Sequence, residues 1–316
     1  MTTRWIRRSA AWLPICIVTM GAACADVHVL SHGSLHVEIE TATNRHMHEF
    51  GPRFDRTAIV RSVTVDGVEL LGPWGLCDEF GLYGDGVLGY EHAAIGDQFV
   101  KIGVGTLLRD TGAGYRFAHP YPVSELFPVL LETADQQLSV FQESDPGLPH
   151  RYRYRKTYTV GADNVLTITY HLANSGEVPW TFEHYNHHWF RLGAAEPGPS
   201  YRIVSGFELP EAETRFLVEP NALRMAAPLR DGEAAYYGSD LRDATVSENT
   251  VVLSVDGSAI VRYEGSFPPA RFAVYASDEG FCPEIFKRSA LQPGETISWF
   301  ASYRFMVPSH HQHGGR

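Results

Sequence analysis

Apolar and polar residues alternate along much of this chain with a period of two, which is typical of half-buried β-strands. The run at residues 35–40 (Leu-His-Val-Glu-Ile-Glu) is the clearest case. Two pairs of strand-like runs flank Asp-Gly dipeptides, a sequence that favours tight hairpin turns. The predicted strands and hairpins are 35–40, 57–71 around Asp66-Gly67, 151–160 paired with 165–172, 251–263 around Asp256-Gly257, and 296–307.

Helical periodicity is scarce. Residues 221–227, ended by Pro228, predict one short helix. Residues 122–141 are interrupted by Pro128, and 137–141 fit a strand better. Many strands with few helices predict an all-β protein, a large antiparallel β-sandwich. With no internal repeat and no linker-like stretch, residues 26–308 are predicted to form a single domain.

The N-terminus has the pattern of an export signal. Three arginines lie within the first eight residues, an apolar run spans 10–22, and Ala-Cys-Ala follows. Residues 1–25 therefore predict a cleaved signal peptide and an exported protein, periplasmic or secreted. Lipidation of Cys24 is the less favoured alternative, because Gly21 stands where such motifs usually have Leu. Arg7-Arg8 in a weak context leaves a twin-arginine signal open.

Composition narrows the choice of partners. With 44% hydrophobic and 20% charged residues the chain is typical of globular proteins, and its formal net charge is −11. An acidic chain without a long basic stretch argues against nucleic acid or an anionic membrane surface as a partner. After a predicted signal peptide, Cys77 and Cys282 remain; a disulfide and two buried thiols are both open. The His-rich end, 309–316, is predicted to be disordered.

The densest chemical cluster is residues 183–190, Glu-His-Tyr-Asn-His-His-Trp-Phe. As a strand it would place His187 on one face with Tyr185 and Trp189, and His184, Asn186 and His188 on the other. A histidine beside aromatic rings suits a proton donor in a sugar-binding cleft, although spacing alone favours an ordinary core histidine. The run lacks the spacing of a zinc motif, so we predict no metal.

A second candidate is Glu284, which follows Cys and Pro and precedes a Pro-Gly turn. Burial would raise the pKa of this carboxyl group and make it a better base near neutral pH. A surface-loop glutamate is the alternative. Residues 78–83 are interpreted either as the rim of a cleft or as a turn-rich loop.

Two motifs resemble those of a known family. Residues 186–192 resemble the Asn-His-x-aromatic-Phe-x-Leu motif of the aldose 1-epimerases (galactose mutarotases). Residues 281–284, with the following Pro-Gly-Glu and a W-x-x-x-Y-x-F strand, resemble the C-terminal segment of that family. The resemblance implies a mutarotase-like sandwich, with His187 as general acid and Glu284 as base, in a divergent exported member.

The sequence also departs from the family pattern. No His-Gly-Gly segment, whose histidine binds the sugar in the family, lies upstream of His187; His119 is the favoured replacement and His92 the other choice. The family's Asn-Arg pair is not clearly present, since Asn44-Arg45 lies too early. Arg53 is the better candidate for a substrate-binding cation, with a surface salt bridge as its alternative role.

The resemblance predicts an isomerase that interconverts sugar anomers by opening the ring, with no cofactor. The acid and the base would act from opposite sides of a sugar or oligosaccharide, which Tyr185, Asn186 and Trp189 would help to bind. Two alternatives stay open. One is a non-catalytic carbohydrate-binding protein on the same sandwich. The other is a lyase acting on a uronate-containing glycan, with Asn186, His187 and Tyr185 as its residues.

Overall fold

The computed structural model describes residues 26–42, 51–242, 246, 248–256 and 259–308. The predicted signal peptide, Asn44-Arg45 and the tail 309–316 lie outside these residues. The described chain folds into three antiparallel sheets, which confirms the predicted all-β class. Its helical segments are three 3-10 turns, Gly51–Arg53, Tyr90–His92 and Ala162–Asn164. In this part of the chain there is no apolar helix of the length that a membrane crossing requires.

The first sheet has nine strands. Their bounds are β1 Asp26–His32, β2 Leu35–Thr41, β3 Ala58–Val65, β4 Val68–Glu69, β5 Leu71–Phe80, β14 Trp180–Phe190, β18 Ala234–Asp240, β21 Arg271–Ser277 and β22 Gly280–Leu291. The hydrogen-bonded order is β1-β2-β3-β5-β14-β22-β21-β18, and β4 pairs with β3. The strand that carries residues 183–190, β14, therefore lies in the middle of this sheet.

The second sheet has ten strands. Their bounds are β10 Leu130–Ala134, β11 Gln137–Glu143, β12 Tyr152–Gly161, β13 Val165–Asn174, β15 Tyr201–Ser205, β16 Phe216–Glu219, β17 Ala222–Met225, β19 Thr250–Val255, β20 Ile260–Gly265 and β23 Thr296–Met306. Their order is β10-β11-β12-β13-β23-β20-β19-β15-β17-β16. A smaller sheet contains β6 Val87–Leu88, β7 Gln98–Lys101, β8 Gly105–Leu108 and β9 Val123–Leu126, in that order.

The predicted strands and both hairpins are confirmed, since β3 pairs with β4, β12 with β13 and β19 with β20. The predicted helix at 221–227 is wrong. Residues 222–225 form β17, which pairs with β15 on one side and β16 on the other. Four residues are too few for periodicity to separate helix from strand, and the pairing with two neighbours decides the conformation.

The two large sheets pack face to face around one apolar core. Alternate side chains on β12, β13 and β23 point inward and meet those of β2, β3 and β14. Tyr170 stacks on Trp299 at 5.1 Å between ring centroids, and His184 packs edge-on against both rings. This packing confirms the predicted sandwich.

A buried ion cluster crosses the interface between the sheets. Lys156 of β12 donates to Asp55 and to Asp78 of β5, each at 2.8 Å, and Tyr170 also donates to Asp78 at 2.9 Å. Burial alone would lower the pKa of Lys156, but the two carboxylates outweigh burial, so that pKa lies well above its usual value. The lysine therefore stays charged and joins the two sheets.

We predict that Lys156→Met destabilises the protein by about 3–5 kcal/mol, because it leaves two buried carboxylates without their cation. Lys287→Met is the matched control: Lys287 is also buried at the sheet interface, but its polar partner is the hydroxyl of Ser289. Denaturant unfolding of both variants measures the two losses. Equal losses would show that the ion cluster adds nothing beyond ordinary packing.

Candidate functional site

A cavity of about 670 Å³ lies on the face of the first sheet that points away from the second sheet. Its floor is built by residues of five adjacent strands, β5, β14, β22, β21 and β18. Odd-numbered residues of β14 face the cavity, while His184, Asn186 and His188 face the sandwich interior. The lining residues are Arg53, Phe54, Trp74, Cys77, Leu82, Tyr83, Phe117, His187, Trp189, Tyr236, Arg271, Tyr275, Ser277, Glu279 and Glu284.

His187 and Glu284 meet on this floor. In the pairing of β14 with β22, Tyr185 lies opposite Phe286 and Phe190 lies opposite Phe281. Both pairs have the same register, which places His187 opposite Glu284. Their side chains approach to 3.7 Å between Nε2 and Oε1. The acid and base candidates are therefore neighbours on one surface, and not on opposite sides of a sugar as the mechanism expected from the resemblance required.

The carboxyl group of Glu284 lies in a largely dry environment. Its residue is 6% exposed, and the thiol of Cys282 donates to Oε1 at 3.6 Å. Burial raises the pKa of Glu284 to about 7, and the negative charge of Glu79 adds to this effect. Arg53 and Arg271 act in the opposite direction but do not cancel the effect of burial. Glu284 can therefore both take and release a proton near neutral pH.

Aromatic rings fix the imidazole of His187. The indole of Trp189 stacks on it at 5.6 Å between centroids and 4° between planes, and Phe54 contacts it edge-on at 5.2 Å. The indole in turn needs Gly72 beneath it, since a Cβ there would lie 2.3 Å from the Trp189 ring. The glycine on β5 thus sets the position of the tryptophan, and the tryptophan orients the histidine.

Arg53 lines the cavity and is held in place by a buried ion pair. Its Nε donates to Glu79 Oε2 at 2.8 Å and one terminal nitrogen donates to the Tyr185 hydroxyl at 2.9 Å. The Tyr185 hydroxyl also donates to Glu79, and the guanidinium lies between the rings of Phe54 and Phe117. Arg53 is therefore held rigidly, by a carboxylate that it shares with Lys101, whose Nζ lies 3.9 Å from Glu79 Oε1.

The structure brings together four of the seven predicted site residues at the cavity surface: Arg53, His187, Trp189 and Glu284. Tyr185 faces the same side but is buried beneath the surface, where it positions Arg53 and Glu79. The run 78–83, interpreted as a rim or a loop, is divided in the structure. Residues 78–80 form the buried end of β5, whereas Leu82 and Tyr83 line the cavity.

The predicted substrate-binding roles of Asn186 and His119 need correction, because neither residue is among those that line the cavity. Asn186 is 3% exposed and donates to Asp78 and to the hydroxyl of Tyr170 in the sandwich interior. The period of two, which put His187 in the cavity, turns Asn186 to the other face. His119 pairs instead with Asp110 at 2.8 Å, and the other candidate, His92, is exposed on a 3-10 turn.

Two charged residues near the site, Glu79 and Arg271, were not predicted as site residues, although Glu79 belongs to the run 78–83 interpreted as a possible rim. Glu79 adjoins Asp78 on β5, so the two carboxylates point to opposite faces, one to the cavity side and one to the interior. A period-two reading of residues 71–80 would have separated them. Arg271 starts β21 and carries no motif; only the pairing of β21 with β22 brings it near Glu284.

The cysteines do not form a disulfide; Cys77 and Cys282 are both free and buried. They lie on β5 and β22, with β14 between them, so about 9–10 Å separates their backbones, which is too far for a disulfide. His187, Cys282 and Glu284 present donor atoms within 4.8 Å of one another, a set that could hold a transition metal such as zinc. Burial raises the pKa of Cys282 well above its usual value, which disfavours the thiolate form that metals bind.

No protein-family model matches the chain, and no curated protein matches its sequence. Solved structures do match. A putative aldose 1-epimerase from Escherichia coli K12 is 18% identical with a TM-score of 0.52, over 90% of this chain and 100% of that one. A galactose mutarotase related enzyme from Lactobacillus acidophilus is 13% identical with a TM-score of 0.54, over 90% and 99%. The GalM/aldose epimerase homologue from C. elegans is 15% identical with a TM-score of 0.54, over 90% and 99%.

These similarities establish the fold. The chain has the galactose mutarotase-like sandwich that the aldose 1-epimerase structures share, as the two sequence motifs predicted. At such low identity the comparison assigns no activity and no residue roles.

We predict that Glu284→Gln changes stability in a pH-dependent way. The carboxyl pKa rises from 4.5 in the unfolded chain to about 7 in the folded protein. Between these values the folded state holds a proton that the unfolded state has released, so wild-type stability falls as pH rises to about 7 and then levels off. Glutamine removes this effect.

Relative to wild type, the Glu284→Gln variant should therefore gain about 2–3 kcal/mol of unfolding free energy between pH 4 and pH 8, as measured with denaturant. Glu264→Gln, at an exposed position on β20, is the matched control. The control should differ from wild type in unfolding free energy by an amount that does not change with pH. The same pH-independent difference in Glu284→Gln would contradict the raised pKa of Glu284.

Proposed function

We propose that the protein is an isomerase that interconverts the anomers of a sugar by acid–base ring opening. The observation that carries the proposal is the pair formed by His187 and Glu284, 3.7 Å apart on the floor of a cavity lined with aromatic rings. Anomer interconversion needs a base for the anomeric hydroxyl and an acid for the ring oxygen. The similarity of the fold to aldose 1-epimerase structures supports the same reaction class.

The neighbouring positions of the two groups suit this reaction. The anomeric oxygen and the ring oxygen are bonded to the same carbon, C1, so one adjacent acid–base pair can reach both. Glu284 takes the proton of the anomeric hydroxyl while protonated His187 gives a proton to the ring oxygen. The bond between C1 and the ring oxygen breaks and an aldehyde forms; rotation about C1–C2 and the reverse transfers close the ring on its other face.

The cavity also suits a sugar in size and lining. Its volume of about 670 Å³ falls in the range of small-molecule sites. Trp74 and Tyr275 offer partly exposed aromatic rings, which stack well on the C–H faces of sugars. The chemistry needs no cofactor, because each proton that is taken up in one step is returned in the next.

We predict that Glu284→Gln and His187→Ala each slow anomer interconversion by about 10²–10⁴-fold, the range that general acids and bases contribute. The rate can be followed by NMR on freshly dissolved α-glucose, α-galactose and α-galacturonate. Glu264→Gln and His171→Ala, both at exposed positions on the second sheet, are the matched controls and should keep the wild-type rate. If wild-type protein binds these sugars but accelerates none of them, the protein is a carbohydrate-binding protein and not an isomerase.

A second prediction concerns pH. The base must be ionised, and burial raises the pKa of Glu284 to about 7. The value of kcat/KM should therefore rise about tenfold per pH unit from pH 5 and bend near pH 7. Polarimetry over this range measures the profile, after correction for the uncatalysed rate. A bend near pH 4.5 would place the base elsewhere or show that Glu284 is solvated.

A further inference from the structure

The cavity contains a second arginine, Arg271, at the opposite end of its floor from Arg53. Cross-strand pairing defines a row of residues: Glu79 of β5 pairs with Tyr185 of β14, Tyr185 with Phe286 of β22, and Phe286 with Arg271 of β21. Arg53 binds at the Glu79 end of this row. The two guanidinium groups are thus separated by the stacked rings of Tyr185 and Phe286.

Unlike Arg53, Arg271 is held by neutral groups. It donates to the hydroxyl of Tyr236 at 2.6 Å and lies over the ring of Tyr83, 4.7 Å from its centroid. Among the residues that the structure describes, no carboxylate lies within ion-pairing distance of Arg271; Glu183, Asp240 and Glu284 act on it only from further away.

This arrangement leaves a half-buried cation without a matching anion. Glu183 compensates it only in part, since burial raises the pKa of Glu183 to about 7. A guanidinium presents five N–H donors, and the described partners of Arg271 are two tyrosine hydroxyls. The donors that face the cavity therefore suit an anionic group of a ligand.

Resting on the proposed function, we propose that the substrate is a sugar that carries a carboxylate, of the uronic acid class, and that Arg271 with Tyr236 binds this carboxylate. The planar guanidinium matches a planar carboxylate in a bidentate manner. Two acidic side chains, Glu279 and Glu284, line the same cavity and disfavour a dianion such as a phosphate ester. A monoanionic sugar fits this balance of charges best.

The positions of Arg271 and the acid–base pair agree with such a substrate. Ala273 pairs directly with Glu284, and Arg271 lies two residues further along the same face of β21. Diagonal neighbours of this kind are about 7–8 Å apart. A pyranose can then place C1 over Glu284 and His187 while its carboxylate reaches Arg271.

The test compares sugars that differ only at C6. Anomer interconversion is measured for galacturonate against galactose and for glucuronate against glucose, with glucose 6-phosphate as the dianionic probe. We expect kcat/KM for each uronate to exceed that of its neutral partner by about 10–100-fold, which is the range of a charge-assisted contact. Arg271→Gln should abolish this preference, so that kcat/KM for each uronate falls to that of its neutral partner measured in the same variant.

Arg262→Gln, at an exposed position on the second sheet, is the matched control and should keep the preference. Arg271→Lys should restore part of it, since it keeps the charge but loses the bidentate geometry. Equal rates for uronates and neutral sugars, or an equal loss with both in Arg271→Gln, would overturn the carboxylate site and leave the isomerase proposal standing. A preference for glucose 6-phosphate over the uronates would overturn the choice of carboxylate.

If no sugar is interconverted faster, calorimetric titration with galacturonate separates the two proposals. Binding that is lost in Arg271→Gln but kept in Arg262→Gln would support the anion site, although the isomerase proposal would fail. The absence of galacturonate binding to the wild-type protein would overturn the anion site as well.

Discussion

The buried cluster of Lys156, Asp55 and Asp78 is the interaction on which both the sandwich and the site depend. Removing three charges from water carries a large cost, which the cluster offsets only because each carboxylate has several partners. Asp55 accepts from Lys156, from Tyr154 at 3.1 Å and from the backbone N–H of Thr57 at 2.7 Å. Position 103 must be glycine, because the Cβ of any other residue there would lie 2.6 Å from the Asp55 carboxyl group.

The same cluster fixes the strand that carries the site. Asp78 is tied to Lys156 and Tyr170 of the second sheet, so β5 cannot slide without breaking these contacts. The next residue, Glu79, points to the opposite face and anchors Arg53. A slip of one residue would exchange the two carboxylates between the core and the cavity. The register of β5 is therefore set by charge as well as by apolar packing.

Much of this architecture could be predicted from local patterns. Alternation and Asp-Gly turns predicted the strands and hairpins, and the period of two separated His187 from Asn186 correctly. Assigning Asn186 to the substrate contradicted that same alternation. Other features depend on contacts between residues far apart in the chain. Arg271 comes near Glu284 only through the pairing of β21 with β22, and His119 forms an ion pair with Asp110 instead of lining the cavity. A single sequence does not reveal such partners.

The two arginines of the cavity differ in their ion pairing, and they differ in their proposed roles for that reason. Glu79 holds Arg53 in an ion pair and also lies 3.9 Å from Lys101 Nζ, so the charge of Arg53 is balanced only in part before a ligand arrives. The negative charge of Glu79 raises the pKa of Glu284 and so offsets part of the larger lowering by Arg53. Burial remains the main reason why this pKa lies near neutral pH. Arg271 is bound by tyrosine hydroxyls, keeps its charge unbalanced and is the cation of the cavity that remains suited to an anionic ligand.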